Sequence, residues 1–237
     1  MAAFQLGEVR IEVVRKDIRH VHLTVHPPAG RVRIAAPRRL SDDAIRAFAI
    51  GKLAWIRRQR AKLREQEREI PLSYIDRETH FVWGQRCLLR VIECDASPSV
   101  EWRPGRLVLS VRSGTVSTRR AELLDAWYRE QLRAEALPLL ARWQDRLGVQ
   151  AKALFVQRMR TRWGSCNAGA GNIRLNTELA RKPRQCLEYI LVHELAHLVE
   201  PTHGPAFLAL LDRHLPGWKQ RREMLNRLPV RHEEWEY

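Results

Sequence analysis

The stretch HELAHLVEPTHG, residues 193–204, holds three histidines and two glutamates within twelve positions. At about 100° per residue, His193 and His197 stand about 40° apart and one turn along a helix, so both imidazoles can point at one ion. Leu187, Leu191, Leu195 and Leu198 fall on roughly the opposite side, and Ile190, Val192, Ala196 and Val199 fill most of the rest. A helix that is apolar nearly all round is a buried one. Histidines and a glutamate inside it need partners, because unpaired burial is costly. A zinc ion is such a partner, since neutral imidazole binds it at about 2.0–2.1 Å. Glu194, on the flank, can reach a water in an open coordination position and act as general base.

The predicted helix begins after Pro183 and runs to about Val199, with Pro201 marking its end. His203 lies six residues after His197, and a turn through Glu200-Pro201-Thr202 can fold it back as the third ligand. Glu200 competes for that place, on the pattern of two histidines and one glutamate; while the helix persists it lies about 300° round the wheel from His197, which favours His203. The alternative to a metal is a structural His–Glu network. A purely structural zinc would leave Glu194 without a task.

Upstream, Phe155–Arg162 and Asn172–Leu179 read as strands joined by a glycine-containing loop, Asn167–Gly171. Arg160, Arg162 and Asn176 are candidates for cleft, oxyanion or substrate contacts. The competing reading makes the arginines an exposed strand face and Asn176 a turn-satisfying amide. Trp163 reads as core. Cys166 is either a soft ligand or a small buried residue, and Tyr189 borders His193 on the wheel. His214 and His232 lie outside the pattern. Downstream, residues 204–215 and 218–228 read as two further helices.

The N-terminal half is strand-rich. Val9–Val14, Val21–Val25 and Arg31–Ile34, the last after a Pro27-Pro-Ala-Gly30 turn, read as an antiparallel meander. Ser41 caps one long helix running towards Glu69, and Pro71 closes the section. Residues 80–93 and 100–111 read as more strands. Ser117 or Thr118 caps a second long helix that ends near Gly148, with Pro138 as a kink site. No internal repeat is visible. Strands first and helices last argue an α+β fold, with a β-rich region over 1–115 and a helical region over 116–237.

Composition narrows the function classes. The four cysteines form no CxxC pair, which argues against a disulfide framework and for a reducing, cytoplasmic setting. No apolar run approaches the ~20 residues that span a bilayer, and the N-terminus lacks a signal-peptide core. The net charge is +15, and only six of the 42 basic residues are lysines. That excess leaves nucleic acid, nucleotides or anionic lipid open as partners, and an Arg-rich solvated surface explains it equally well. The eight tryptophans invite a base-stacking role, but Trp55, Trp127, Trp143 and Trp218 fall in amphipathic helices, where packing accounts for them.

HELAHLVEPTHGPAF resembles the HExxH-x5-H signature of the YgjP-like metallopeptidases, relatives of the SprT-like and WLM zinc peptidases. RMRTRWGSC, residues 158–166, followed by Asn172-Ile-Arg-Leu-Asn176, resembles a second stretch typical of that group. The resemblance covers about residues 155–215. It implies a zincin-like C-terminal half with the active-site helix beside a small sheet, His193, His197 and His203 as ligands of Zn2+, and Glu194 as catalytic base. The expected activity is zinc-dependent hydrolysis of a peptide or protein. Metal-dependent cleavage of a nucleotide phosphoanhydride, or protein processing on DNA, are the alternatives.

Overall fold

The computed structural model describes residues 2–26, 30–65, 68–69, 72–159, 162–228 and 230–231. The Pro27 turn, Pro71, Arg160 and His232 lie outside the described residues. The chain divides into two compact units, Met1–Pro71 with Pro229–Tyr237, and Leu72–Leu228. The boundary expected at 115/116 falls inside the second unit. There the helix that follows packs on the strands that precede it.

In the first unit, β1 (Ala2–Leu6), β2 (Val9–Lys16), β3 (His22–His26) and β4 (Arg31–Pro37) form one sheet in the order β1-β2-β4-β3. It is not the expected meander. β2 and β4 run parallel, with Ile11 opposite Val32, and β3 returns antiparallel on the outside of β4. Strict alternation puts Ile11, Val13, Val32 and Ile34 on one buried face. Helices α1 (Asp42–Gly51) and α2 (Leu53–Glu65) cover that face through Ile45, Ala49 and Ile56. Ser41 caps α1 as predicted, its hydroxyl accepting from the Ala44 amide. The single long helix is in fact two, divided at Lys52, which leaves helical dihedrals (φ −103°, ψ 2°) and whose amide closes the first by bonding to the Phe48 and Ala49 carbonyls. Beyond α2, β5 (Arg68–Glu69) pairs in parallel with β13 (Val230–Arg231).

The second unit opens with β6 (Thr79–Val82), β7 (Gln85–Glu93), β8 (Ser99–Arg103) and β9 (Arg106–Val111), ordered β6-β7-β9-β8. Helix α3 (Ser117–Leu147) packs on β8 and β9, and its Tyr128 hydroxyl donates to the Phe81 carbonyl at 2.9 Å. Val116, not Ser117 or Thr118, occupies the N-cap, with no side-chain hydrogen bond. Pro138 lies inside the helix, which continues to a left-handed cap at Gly148.

A second sheet follows from β10 (Ala153–Gln157), β11 (Gly164–Asn167) and β12 (Asn172–Asn176). The strand expected to run to Arg162 stops at Gln157, and a separate strand, β11, forms the hairpin with β12. β10 pairs with β12 in parallel, so β12 is central and β11 an edge. The predicted strand past Asn176 is a short 3-10 helix, Thr177–Arg181. Then come α4 (Arg184–Ala196), α5 (Pro205–His214) and α6 (Trp218–Arg227). Helix α4 is buried on nearly every side and packs against α3, α5, α6, β11 and β12. Its Leu187, Leu191 and Leu195 are fully buried; truncating any one to Ala would cost about 2–5 kcal/mol. This anchoring holds the histidine-bearing turn. The α+β class holds, with strands gathered first and helices last. Among the described residues no helix is long and apolar enough to cross a membrane.

Candidate metal centre

α4 ends one turn earlier than the sequence suggests, at Ala196, and His197 is its C-cap. The cap residue keeps right-handed helical dihedrals, φ −68° and ψ −15°, so its ring stays on the stripe begun by His193. The chain then turns, with Leu198, Val199 and Glu200 amides bonding back to Leu195 and Ala196 carbonyls. Pro201 follows, and His203 comes back onto the helix end. The ring centroids of the three histidines lie 5.0 Å (193 to 197), 4.9 Å (193 to 203) and 4.5 Å (197 to 203) apart. One ligand atom from each lies within 4.8 Å of the others.

Glu200 is engaged elsewhere. Its Oε1 accepts from the Thr202 hydroxyl at 2.8 Å and from the Thr202 amide at 3.3 Å, which shapes the turn that delivers His203. Its carbonyl faces Nδ1 of His197 at 3.2 Å. A carbonyl only accepts, so Nδ1 is the donor there and Nε2 is the nitrogen left to face a metal. The Nε2 atoms of His193 and His203 face each other at 3.0 Å. Burial pushes the pKa of His193 down to about 4, helped by His197, His203 and the Arg222 guanidinium. His203 is lowered by burial, His197 and Arg222. Three imidazoles with converging nitrogens are a donor set a zinc ion takes, so the residues fit the metal.

Glu194 is 6% exposed. Burial raises its pKa to about 7, against the opposing pull of Arg162 and of a hydrogen bond from the Cys166 amide. The strand beside it has to be thin. A Cβ on Gly164 would stand 2.7 Å from Glu194 Oε1 and 2.9 Å from Ile190 Cγ2. The absence of a side chain at that position lets the carboxylate lie against β11.

A cleft of about 440 Å³ opens over these groups, lined by the three histidines, Glu194, Arg162, the β11 residues Gly164, Ser165 and Cys166, and Ala168 and Pro201. Arg162 therefore reaches the cleft. Asn176 does not. Its Nδ2 donates to the carbonyls of Met159 at 2.7 Å and Arg162 at 2.8 Å, and its Oδ1 accepts from the Glu178 amide. The amide is spent on backbone, and it braces the segment that carries Arg162. Cys166 borders the cleft, but among the described residues only the three histidines form the ligand cluster. Burial, then Glu194, raise its pKa and keep it a thiol. Trp163 is half-buried against the core. Tyr189 packs on His193, centroids 5.9 Å apart, without lining the cleft.

Three participants were not singled out by sequence reasoning: Gly164, Phe207 behind the rings, and Arg222, whose charge reaches His193 and His203 from α6. A glycine amid the Trp-Gly-Ser-Cys run was the only available signal for the first. The other two become neighbours only through the packing of α5 and α6.

The YgjP-like metallopeptidase domain matches residues 19–228. Two solved structures share local similarity with this chain. The metallopeptidase zymogen of Pyrococcus abyssi abylysin is 28% identical over 39% of this chain and 97% of its own, with a TM-score of 0.35. The metallopeptidase zymogen of Methanocaldococcus jannaschii jannalysin is 19% identical over 37% of this chain and 89% of its own, with a TM-score of 0.34. No curated protein matches the chain. With a family match spanning both the histidine cluster and most of the strands before it, the chain belongs to the YgjP-like metallopeptidase family.

Proposed function

We propose that this protein is a zinc-dependent peptidase in which His193, His197 and His203 hold the ion through Nε2 and Glu194 is the general base. The observation that carries the reading is the convergence of three imidazoles beside one buried carboxylate in a single cleft. Bound there, zinc supplies Lewis-acid activation of water and of the scissile carbonyl. Glu194 takes the proton of the attacking water on its carboxylate and later delivers it to the leaving amine. Its burial favours this traffic, because a desolvated carboxylate holds a proton more readily than an exposed one. Arg162, the one cationic side chain lining the cleft among the described residues, stabilises negative charge developing on the carbonyl oxygen. An extended peptide lies along the edge of β11 that no strand of the described residues covers, where Gly164, Ser165 and Cys166 form one wall.

Glu194→Gln keeps the size and shape of the side chain and removes the base. Peptide turnover should fall by about 10²–10⁴-fold while zinc stays bound, measured by kinetics and metal analysis on the same sample. Full activity in that variant would remove Glu194 from the chemistry.

Arg162 also favours a second reading, in which the anionic group bound is a phosphate and the bond broken a nucleotide phosphoanhydride. A peptide library and a nucleotide panel, each with and without chelator, separate the two. Chelator-sensitive turnover confined to the nucleotides would replace the peptidase assignment.

A further inference from the structure

Metal-binding histidines are ordinarily held by hydrogen bonds to the ring nitrogen that faces away from the ion. Here, among the described residues, only His197 has such support, from the Glu200 carbonyl. Nδ1 of His193 is buried with no hydrogen-bond partner among the described residues. The His203 ring has as its one polar contact, among those residues, the 3.0 Å approach to His193. Something else must orient these two rings.

Phe207 is placed to do so. Its ring centroid lies 5.0 Å from that of His193, 4.7 Å from His197 and 4.9 Å from His203. It stacks on His197 at 28° and meets the other two at 73° and 65°. The four rings thus form a cluster in which every pair is 4.5–5.0 Å apart. Phe207 is 1% exposed and does not line the cleft, so it stands behind the histidines while their other sides face the opening. It belongs to the first turn of α5, four residues after His203, and so ties the returning chain to the end of α4.

We propose that Phe207 is a positioning residue that sets the orientation of all three imidazoles, replacing for His193 and His203 the polar support that His197 receives. The inference rests on the three histidines holding a metal. Its physical basis is close packing: a rigid planar ring touching three others leaves each of them few rotamers. Coordination also makes an imidazole more positive, and the electron-rich face stacked on His197 attracts that state more strongly.

The experiment uses the full chain. Zinc affinity is measured by chelator competition, and coordination geometry by the visible absorption of the Co2+ form. Phe207→Ala should weaken zinc binding about 10–100-fold, the loss typical of removing outer support from a metal ligand, and should alter the Co2+ bands. Phe207→Leu keeps apolar bulk and protects the fold, yet lacks a planar face. It should shift the same bands and weaken zinc by a smaller factor. Leu211→Ala, one turn further along α5 and fully buried, serves as control. It should lower the melting temperature and leave affinity and spectrum within twofold of the unaltered chain. Unchanged affinity and bands in both Phe207 variants, or an equal shift in Leu211→Ala, would overturn the proposal and leave the metal reading standing. Failure of the unaltered chain to bind either ion would overturn the metal reading, and this inference with it.

Discussion

In the first unit β1-β2-β4-β3, and in the second β6-β7-β9-β8, set out an antiparallel hairpin, a parallel central pair and an antiparallel outer strand in the same order. A helix follows each sheet in the chain. The inner faces match in kind but not in residue: Ile11 faces Val32 in one, Leu89 faces Leu107 in the other. The repeat is one of backbone path, which is why no repeated sequence announces it. What separates the two units is the placement of polar groups. The buried polar and charged side chains among the described residues, from His80 to Glu194, all belong to the second unit. A shared plan gives both units a core, and chemistry arises only where the chain goes on to β10–β12 and α4.

Variants at matched positions probe this contrast. The largest effect is expected from His193→Ala, which removes a proposed zinc ligand from the second unit. The protein should emerge without stoichiometric zinc and without turnover; retention of tight zinc would mean the ion is held elsewhere. Next come two core truncations. Ile34→Ala and Leu109→Ala each empty a fully buried position, one in each sheet, and each should cost about 2–5 kcal/mol in denaturant unfolding. Only Leu109→Ala should also weaken zinc binding, measured at a temperature where both variants are folded. Equal loss in the two would erase the functional distinction between the sheets. The smallest effects come from two glycines. Gly164→Ala drives a methyl into Glu194 and should cost about 1–3 kcal/mol and lower kcat by up to about 10²-fold through displacement of the base. Gly51 has no atom within 4 Å of an added Cβ. Its change to Ala should stabilise the chain by no more than about 1 kcal/mol and leave kcat alone.

The parts that could be read in advance share a physical trait. The three histidines lie within eleven residues of each other, so helical spacing and one proline break were enough to foresee His193 and His197 on one stripe and His203 returning. Helices α5 and α6 were legible from their own periodicity. The strand partners were not, because a parallel pairing such as Ile11 with Val32 joins strands with β3 between them in the chain rather than following from local pattern. β11 was missed because Gly-Ser-Cys-Asn carries no apolar alternation. Its strand character comes from pairing with β12. Asn176 reads from sequence either as a cleft residue or as an amide that satisfies a turn. Only the folded chain, which brings the Met159 and Arg162 carbonyls onto it, reveals that its amide is consumed by backbone.

α4 terminates at the histidines. The last carbonyls of a helix carry roughly half a negative charge, and His193 and His197 occupy that final turn. The peptide backbone itself therefore biases the spot towards a cation before any side chain is counted. Extending α4 by another turn would move that favourable field past the histidine cluster, so the early stop at Ala196 sets the local potential as well as the path of the chain.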